Sequence, residues 1–270
     1  MLLAPVQEAE CRLPLRFVIA CRYAVRMPHS GLLAGLADEL RTLATPERAR
    51  NEKAYLKSDL EHLGVRVPDV RRVTLKLTRV HLPRELGPTL AFADELWAPK
   101  VHELRMAAVE LLIDRADLLN EGHLPYLERL VREARTWALI DGIAPGIVGR
   151  LLVRDEAVES TLISWAADAD FWVRRAAVLA YLRAVPSGSV AFARFAALAD
   201  PLLEDKEFFV RKALGWVLRE HGKKAPAEVF AWLWPRRQRA ARLTLREAAK
   251  FLSEEQRLNL LADPGSSGLR

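Results

Sequence analysis

The segment REARTWALIDGIAPGIVGRLL, residues 132–152, sets one acid, Asp141, four positions after a tryptophan, Trp137, in an otherwise apolar helical pattern. On an α-helix such residues lie one turn apart on the same face, so the carboxylate and the indole point the same way. A fixed carboxylate stabilises a developing positive charge and orients or deprotonates a water, while an indole face attracts the same charge and keeps solvent away. Three readings of Asp141 stand open: a solvated surface acid, a helix cap, or a reacting group. Asp is a preferred N-cap and Asp-Gly is a turn signal, so the acid could simply start the helix GIAPGIVGRLL. Residue spacing alone divides cap from catalyst evenly.

The elements that must position this pair are helices. Apolar positions recur at helical spacing along nearly the whole chain, and alternating β-type runs are almost absent, which predicts an all-α fold. Ser30 precedes a helix GLLAGLADELRTLA, and Thr45-Pro46 opens ERARNEKAYLKSDLEHL, with Gly64 as its stop. Pro68, Pro83, Pro125 and Pro145 punctuate the helical pattern beyond it.

The strings PDVRRVTLKL, HELRMAAVELL, FWVRRAAVLAYL, FFVRKALGWVL and LTLREAAKFL each carry an aliphatic residue, then an arginine, then a helix. Their arginines, Arg71, Arg105, Arg174, Arg211 and Arg246, are separated by 34, 69, 37 and 35 residues, so one repeat lacks its arginine. The residue in the vacant register is Asp141. Helix pairs at this period predict an α-solenoid of HEAT-like repeats, each unit burying its apolar face against its neighbours. The second helices would line a basic concave groove. Packing between repeats is the leading expectation for the arginine column, and Asp141 is expected to sit in a cationic neighbourhood that keeps it ionised.

Composition narrows the partners. The 270 residues are 51% hydrophobic and 28% charged with a net charge of +6, which suits a soluble protein with a polyanionic partner, nucleic acid before membrane. No apolar run reaches the roughly 20 residues needed to cross a bilayer, and the opening lacks the pattern of a signal peptide, so a cytoplasmic location is expected. Cys11 and Cys21 both fall early, and the six histidines are scattered without a close pair at ligand spacing. Neither a metal site nor a cofactor is therefore expected. The repeat domain is placed at residues 28–262, after an extension over 1–27 and before a flexible tail over 263–270, with no need of a dimer.

Six strings in order resemble the AlkD-type DNA alkylation repair glycosylases, which are built from HEAT-like repeats. They are YLKSDLEHLGVRVPDVR, LWAPKVHELRMAAVELL, TWALID followed by IVG, FWVRRAAVL, EFFVRKALGWVLRE and LREAAK, covering roughly residues 30–255. The resemblance implies a monofunctional enzyme that excises cationic alkylated purines, N7-alkylguanine and N3-alkyladenine, from duplex DNA, and a nucleoid location when bound. It implies a catalytic pair Trp137 and Asp141, with Arg175 as the second arginine of the W-x-R-R string. It also implies DNA contacts at Trp216, Tyr55, Phe208, Phe209, Lys212 and Arg183. A base that already carries positive charge leaves without an acid; the sugar cation is what needs an anion beside it.

Two positions depart from the family pattern: Ala138 stands where another acid is common, and Arg183 where a lysine is expected. Trp172 is read as core. Arg174 and Arg175 point about 100° apart, so one is expected to pack between repeats and the other to reach phosphate. The basic run at Arg236, Arg237, Arg239 and Arg242 leans slightly towards phosphate contact. A non-catalytic DNA-binding relative and a protein-binding HEAT scaffold are the rival readings.

Overall fold

The computed structural model describes residues 29–262, so Cys11, Cys21 and both terminal segments named above lie outside it. Among the described residues every regular element is helical, apart from one isolated parallel bridge between Glu61 and Val101. In chain order they are α1 (His29–Thr42), α2 (Pro46–Leu56), α3 (Val67–His81), α4 (Leu86–Trp97), α5 (His102–Asp114), α6 (Leu124–Ala134), α7 (Trp137–Ile143) and α8 (Gly149–Arg154). Next come α9 (Val158–Ala166), α10 (Phe171–Ala184), α11 (Phe192–Ala199), α12 (Phe208–Gly222), α13 (Pro226–Leu233), α14 (Arg242–Ala248) and α15 (Glu254–Leu261). None of them is long and apolar enough to cross a membrane.

Two layers result. Helices α3, α5, α7, α10, α12 and α14 pack successively in one row, and α1, α4, α6, α9, α11, α13 and α15 pack along its other side. This is the all-α HEAT-like solenoid that the repeat period predicts. The outer helices carry one apolar stripe: α6 buries Leu124, Leu127, Leu130, Val131 and Ala134, and burial of each large side chain contributes roughly 1.5–3 kcal/mol. A helix in the middle of the row is covered on both sides, and α10 buries Val173 and every residue from Arg175 to Leu182.

The arginine column is structural. Arg71 pairs with Glu110, its Nε at 2.7 Å from Oε2. Arg105 donates to the carbonyls of Trp97 and Glu133. Arg174 reaches Asp205 and the carbonyls of Asp168 and Ala169, and Arg211 donates to the Asp205 carbonyl. Arg105, Arg174 and Arg211 therefore tie helix starts to the turns before them, Arg71 ties α3 to α5, and Arg246 stands exposed.

Three local expectations are corrected. Ser30 falls inside α1 rather than ahead of it. Helix α2 stops at Leu56 instead of running to Leu63, because it buries no residue and Lys57 turns left-handed at φ 49°, with Ser58 N–H closing back on the Lys53 carbonyl. Pro145 does not end the helix: α7 runs through a π-helical turn over Ala144–Val148 directly into α8. Pro145 lacks the N–H that would bond the Asp141 carbonyl in an α-helix, and a widened turn is the usual accommodation. The bulged segment is held tightly, since a Cβ on Gly149 would lie 2.5 Å from the Ala180 carbonyl oxygen of α10.

Candidate active site

Thr136, not Asp141, caps the helix that carries the Trp137–Asp141 pair: its hydroxyl accepts from the Ala138 N–H at 3.4 Å. Asp141 lies inside α7, one turn after Trp137, which removes the capping reading. The π turn begins three residues later, and such turns cluster at sites where a helix must present a group out of regular register.

The carboxylate meets a single guanidinium in a two-pronged pair. Arg175 Nε donates to Oδ1 at 3.0 Å and Nη2 to Oδ2 at 2.9 Å, while Nη1 donates to the Phe209 carbonyl at 2.6 Å. With 3% of its side chain exposed, Arg175 is locked between α7, α10 and α12. The expectation that it reaches a phosphate is thereby corrected: its donors are spent on Asp141 and the Phe209 carbonyl. Burial pushes the Asp141 carboxyl above its ordinary value, and the nearby charges of Arg175 and Lys212 oppose that rise. The cationic neighbourhood read from the arginine column is real but comes from the residues next to two column positions, Arg175 after Arg174 and Lys212 after Arg211.

An aromatic cluster walls the pair. Phe209 lies 4.8 Å from Trp172 and 6.2 Å from Phe171 between ring centroids, with Phe208 edge-on to Phe209 at 5.3 Å. Phe208 is exposed and carries the Lys212 ammonium 5.7 Å above its ring. Tyr55, 74% exposed at the end of α2, meets Trp137 edge-on at 5.8 Å. Trp172, expected in the core, is half-buried in this cluster. Its signal was in the repeat alignment, because Phe171-Trp172 opens α10 in the register where Phe208-Phe209 opens α12.

The structure thus gathers Asp141, Arg175, Phe209, Phe208 and Lys212 at one point and sets Trp137 with Tyr55 beside it. Trp216 is half-buried one turn beyond Lys212 on α12. Arg183 is exposed near the far end of α10, about 12 Å along the axis from Arg175, and no contact joins it to Asp141. The basic run is largely engaged elsewhere: Arg236 and Arg239 both pair with Asp200, Arg239 also with Glu204, and Arg237 lies over the Trp234 ring.

The scattered histidines hide one close pair. His62 and His102, forty positions apart, stack at 4.4 Å, and burial beside His62 pushes His102 down to about 4. Next to them Glu103 accepts the N–H groups of Leu63, Gly64 and Val65, so this cluster clasps the loop after α2 to α5. Glu52, His62 and Glu103 each bring one potential ligand atom within 4.8 Å of the others, a proximity that spacing along the chain did not reveal.

Comparison with known proteins gives the arrangement a context. A search of curated proteins finds no match. A solved structure described as a predicted DNA alkylation repair enzyme from Enterococcus faecalis shares the fold, with a TM-score of 0.68 at 20% identity, over 78% of this chain and 97% of the other. The family model for DNA alkylation repair enzymes matches residues 36–252, which contain every helix of the site, and the chain belongs to that family.

Proposed function

We propose that the protein is a monofunctional DNA glycosylase that hydrolyses the N-glycosidic bond of cationic alkylated purines, N7-alkylguanine and N3-alkyladenine, in duplex DNA. The observation that carries this reading is a lone carboxylate, Asp141, gripped by the buried Arg175 guanidinium and sharing a helix face with Trp137.

The alkylated base leaves with the electron pair of the glycosidic bond, which neutralises its charge, so no proton donor is needed. Positive charge then appears on the deoxyribose. Asp141, whose charged form the guanidinium favours against burial, faces that charge, stabilises it and accepts the proton of the water whose oxygen bonds to the sugar carbon. Trp137 lies against the same sugar, where its ring attracts the cation and excludes bulk water. Arg175 acts through Asp141 as a positioning residue: a fork of two parallel bonds fixes the plane of the carboxylate.

The DNA contacts proposed around this centre are Lys212 and Arg183 to phosphates, and Tyr55, Phe208, Phe209 and Trp216 through their rings. The protein needs no cofactor for this chemistry and works as a monomer in the cytoplasm, on the nucleoid.

The test is incubation with duplex DNA carrying 7-methylguanine, with free base and abasic sites measured. Release of the free base with stoichiometric abasic sites and no strand cleavage is expected. No release from this or any other cationic lesion would overturn the enzyme reading.

A further inference from the structure

Beside the Tyr55–Trp137 contact a cleft of about 1010 Å³ opens between the ends of α2, α4 and α6. Among the described residues three non-glycine residues have a left-handed backbone, Lys57 at φ 49°, Lys100 at φ 57° and Arg135 at φ 47°. All three line this cleft. Helix ends commonly use that conformation, but glycine or asparagine is the usual occupant, because a Cβ is crowded there. Lys57 and Arg135 directly follow their helices and Lys100 comes three residues after α4, and in all three a long cation holds the conformation instead. Lys100 is held in it from across the cleft, since its carbonyl accepts the Glu61 N–H at 3.1 Å.

The other cations of the cleft are committed. Arg129 pairs with Asp94 and Glu133, Arg132 with Glu128 and Asp168, and Arg105 is spent on two carbonyls. Lys57, Lys100 and Arg135 form no ion pair with any described residue. They also adjoin the site along the chain. Lys57 lies two positions after Tyr55, and Arg135 precedes Trp137 by two.

We infer that this cleft is a second phosphate-binding surface, in which Lys57, Lys100 and Arg135 hold the backbone of the duplex flanking the lesion. The inference rests on the reading of the protein as one that binds duplex DNA. It extends the contact from the Asp141 centre past Tyr55 towards the N-terminal repeats, onto three residues to which neither repeat register nor family resemblance gives a DNA contact. Three cations at successive repeat turns outnumber Asp59, the one lining acid outside the ion pairs above, and suit a uniformly charged rod that runs along the row of helices, with no preference for base sequence.

The test uses undamaged duplex, so its outcome is independent of base release. Substitution of Lys57→Gly, Lys100→Gly and Arg135→Gly removes the charges and leaves a residue that accepts each backbone conformation. If the triple variant melts lower than wild type, the Lys57→Gln, Lys100→Gln, Arg135→Gln set is used in its place. Affinity is measured by fluorescence anisotropy across a salt series. The slope of log affinity against log salt is expected to fall by about 0.9 for each contact removed. Shortening the duplex on one flank is expected to erase the difference between wild type and variant. An unchanged slope overturns the inference. So does displacement of duplex by inorganic phosphate beyond that caused by chloride at equal ionic strength, which would mark a free-anion site. Failure of base release with the expected loss of slope would strike the enzyme reading and leave the cleft assignment intact.

Discussion

Arg174 and Arg175 are neighbours on α10, and each meets an aspartate from another repeat, yet the two pairs are built for different ends. Asp205 is closed on all sides: it takes Arg174 Nε on one oxygen and the Glu207 N–H on the other, and Arg174 adds two loop carbonyls. Asp141 takes nothing but Arg175, receives no backbone N–H, and keeps part of its carboxylate open beside Trp137. A carboxylate whose acceptor capacity is filled by backbone serves the fold, whereas one fixed from behind by a single buried fork retains lone pairs for a ligand. The open pair carries a cost, since burial pushes the Asp141 carboxyl up despite two cations nearby.

Removing the buried fork has the largest effect. Arg175→Ala leaves Asp141 desolvated and unpaired, so we expect a stability loss of about 3–5 kcal/mol by denaturant unfolding. A base-release rate that falls further than the folded fraction is also expected. Arg174→Ala is expected to cost about 2–3 kcal/mol through lost charged hydrogen bonds, with release by the folded protein staying close to wild type. If the two variants lost stability and activity in the same proportion, the distinction between the pairs would fail.

A smaller effect tests the electrostatics. Lys212 helps to keep the Asp141 carboxyl down, so Lys212→Met shifts the acid limb of the pH–rate profile upward. The sign comes from the charge: without the cation the carboxylate protonates at higher pH, and release is lost at a higher pH on acidification. A downward or absent shift would remove Lys212 from the field of Asp141. Least effect is expected from Arg236→Gln with Arg239→Gln, which are already paired with Asp200 and Glu204, so the salt slope of duplex binding stays as in wild type.

Much of this frame is readable in the chain because it depends on short-range periodicity. The thirty-five-residue recurrence gives the helix row, and the four-residue spacing of Trp137 and Asp141 gives their shared face. What the spacing hides is direction at long range. The register of Arg174 and Arg175 says that they diverge, but only the approach of α7 and α12 decides that Arg175 turns inward to Asp141 and the Phe209 carbonyl. The same holds for His62 and His102, and for the cleft cations, whose left-handed backbone has no glycine to announce it. Pro145 misleads for another reason. A proline commonly ends a helix, but here glycines at 142, 146 and 149 let the segment press against α5 and α10, and tertiary packing carries the helix through a π turn.

The central claim is that Asp141 carries the chemistry, and one comparison tests it. Single-turnover release of 7-methylguanine from duplex DNA is measured at saturating protein for wild type and Asp141→Asn, with folding checked by thermal melting. Asparagine keeps an acceptor for Arg175 and loses the negative charge, so we predict release slower by at least about 100-fold in a folded variant, the scale of losing one well-aimed electrostatic group. Equal rates of release by the two proteins would contradict the account.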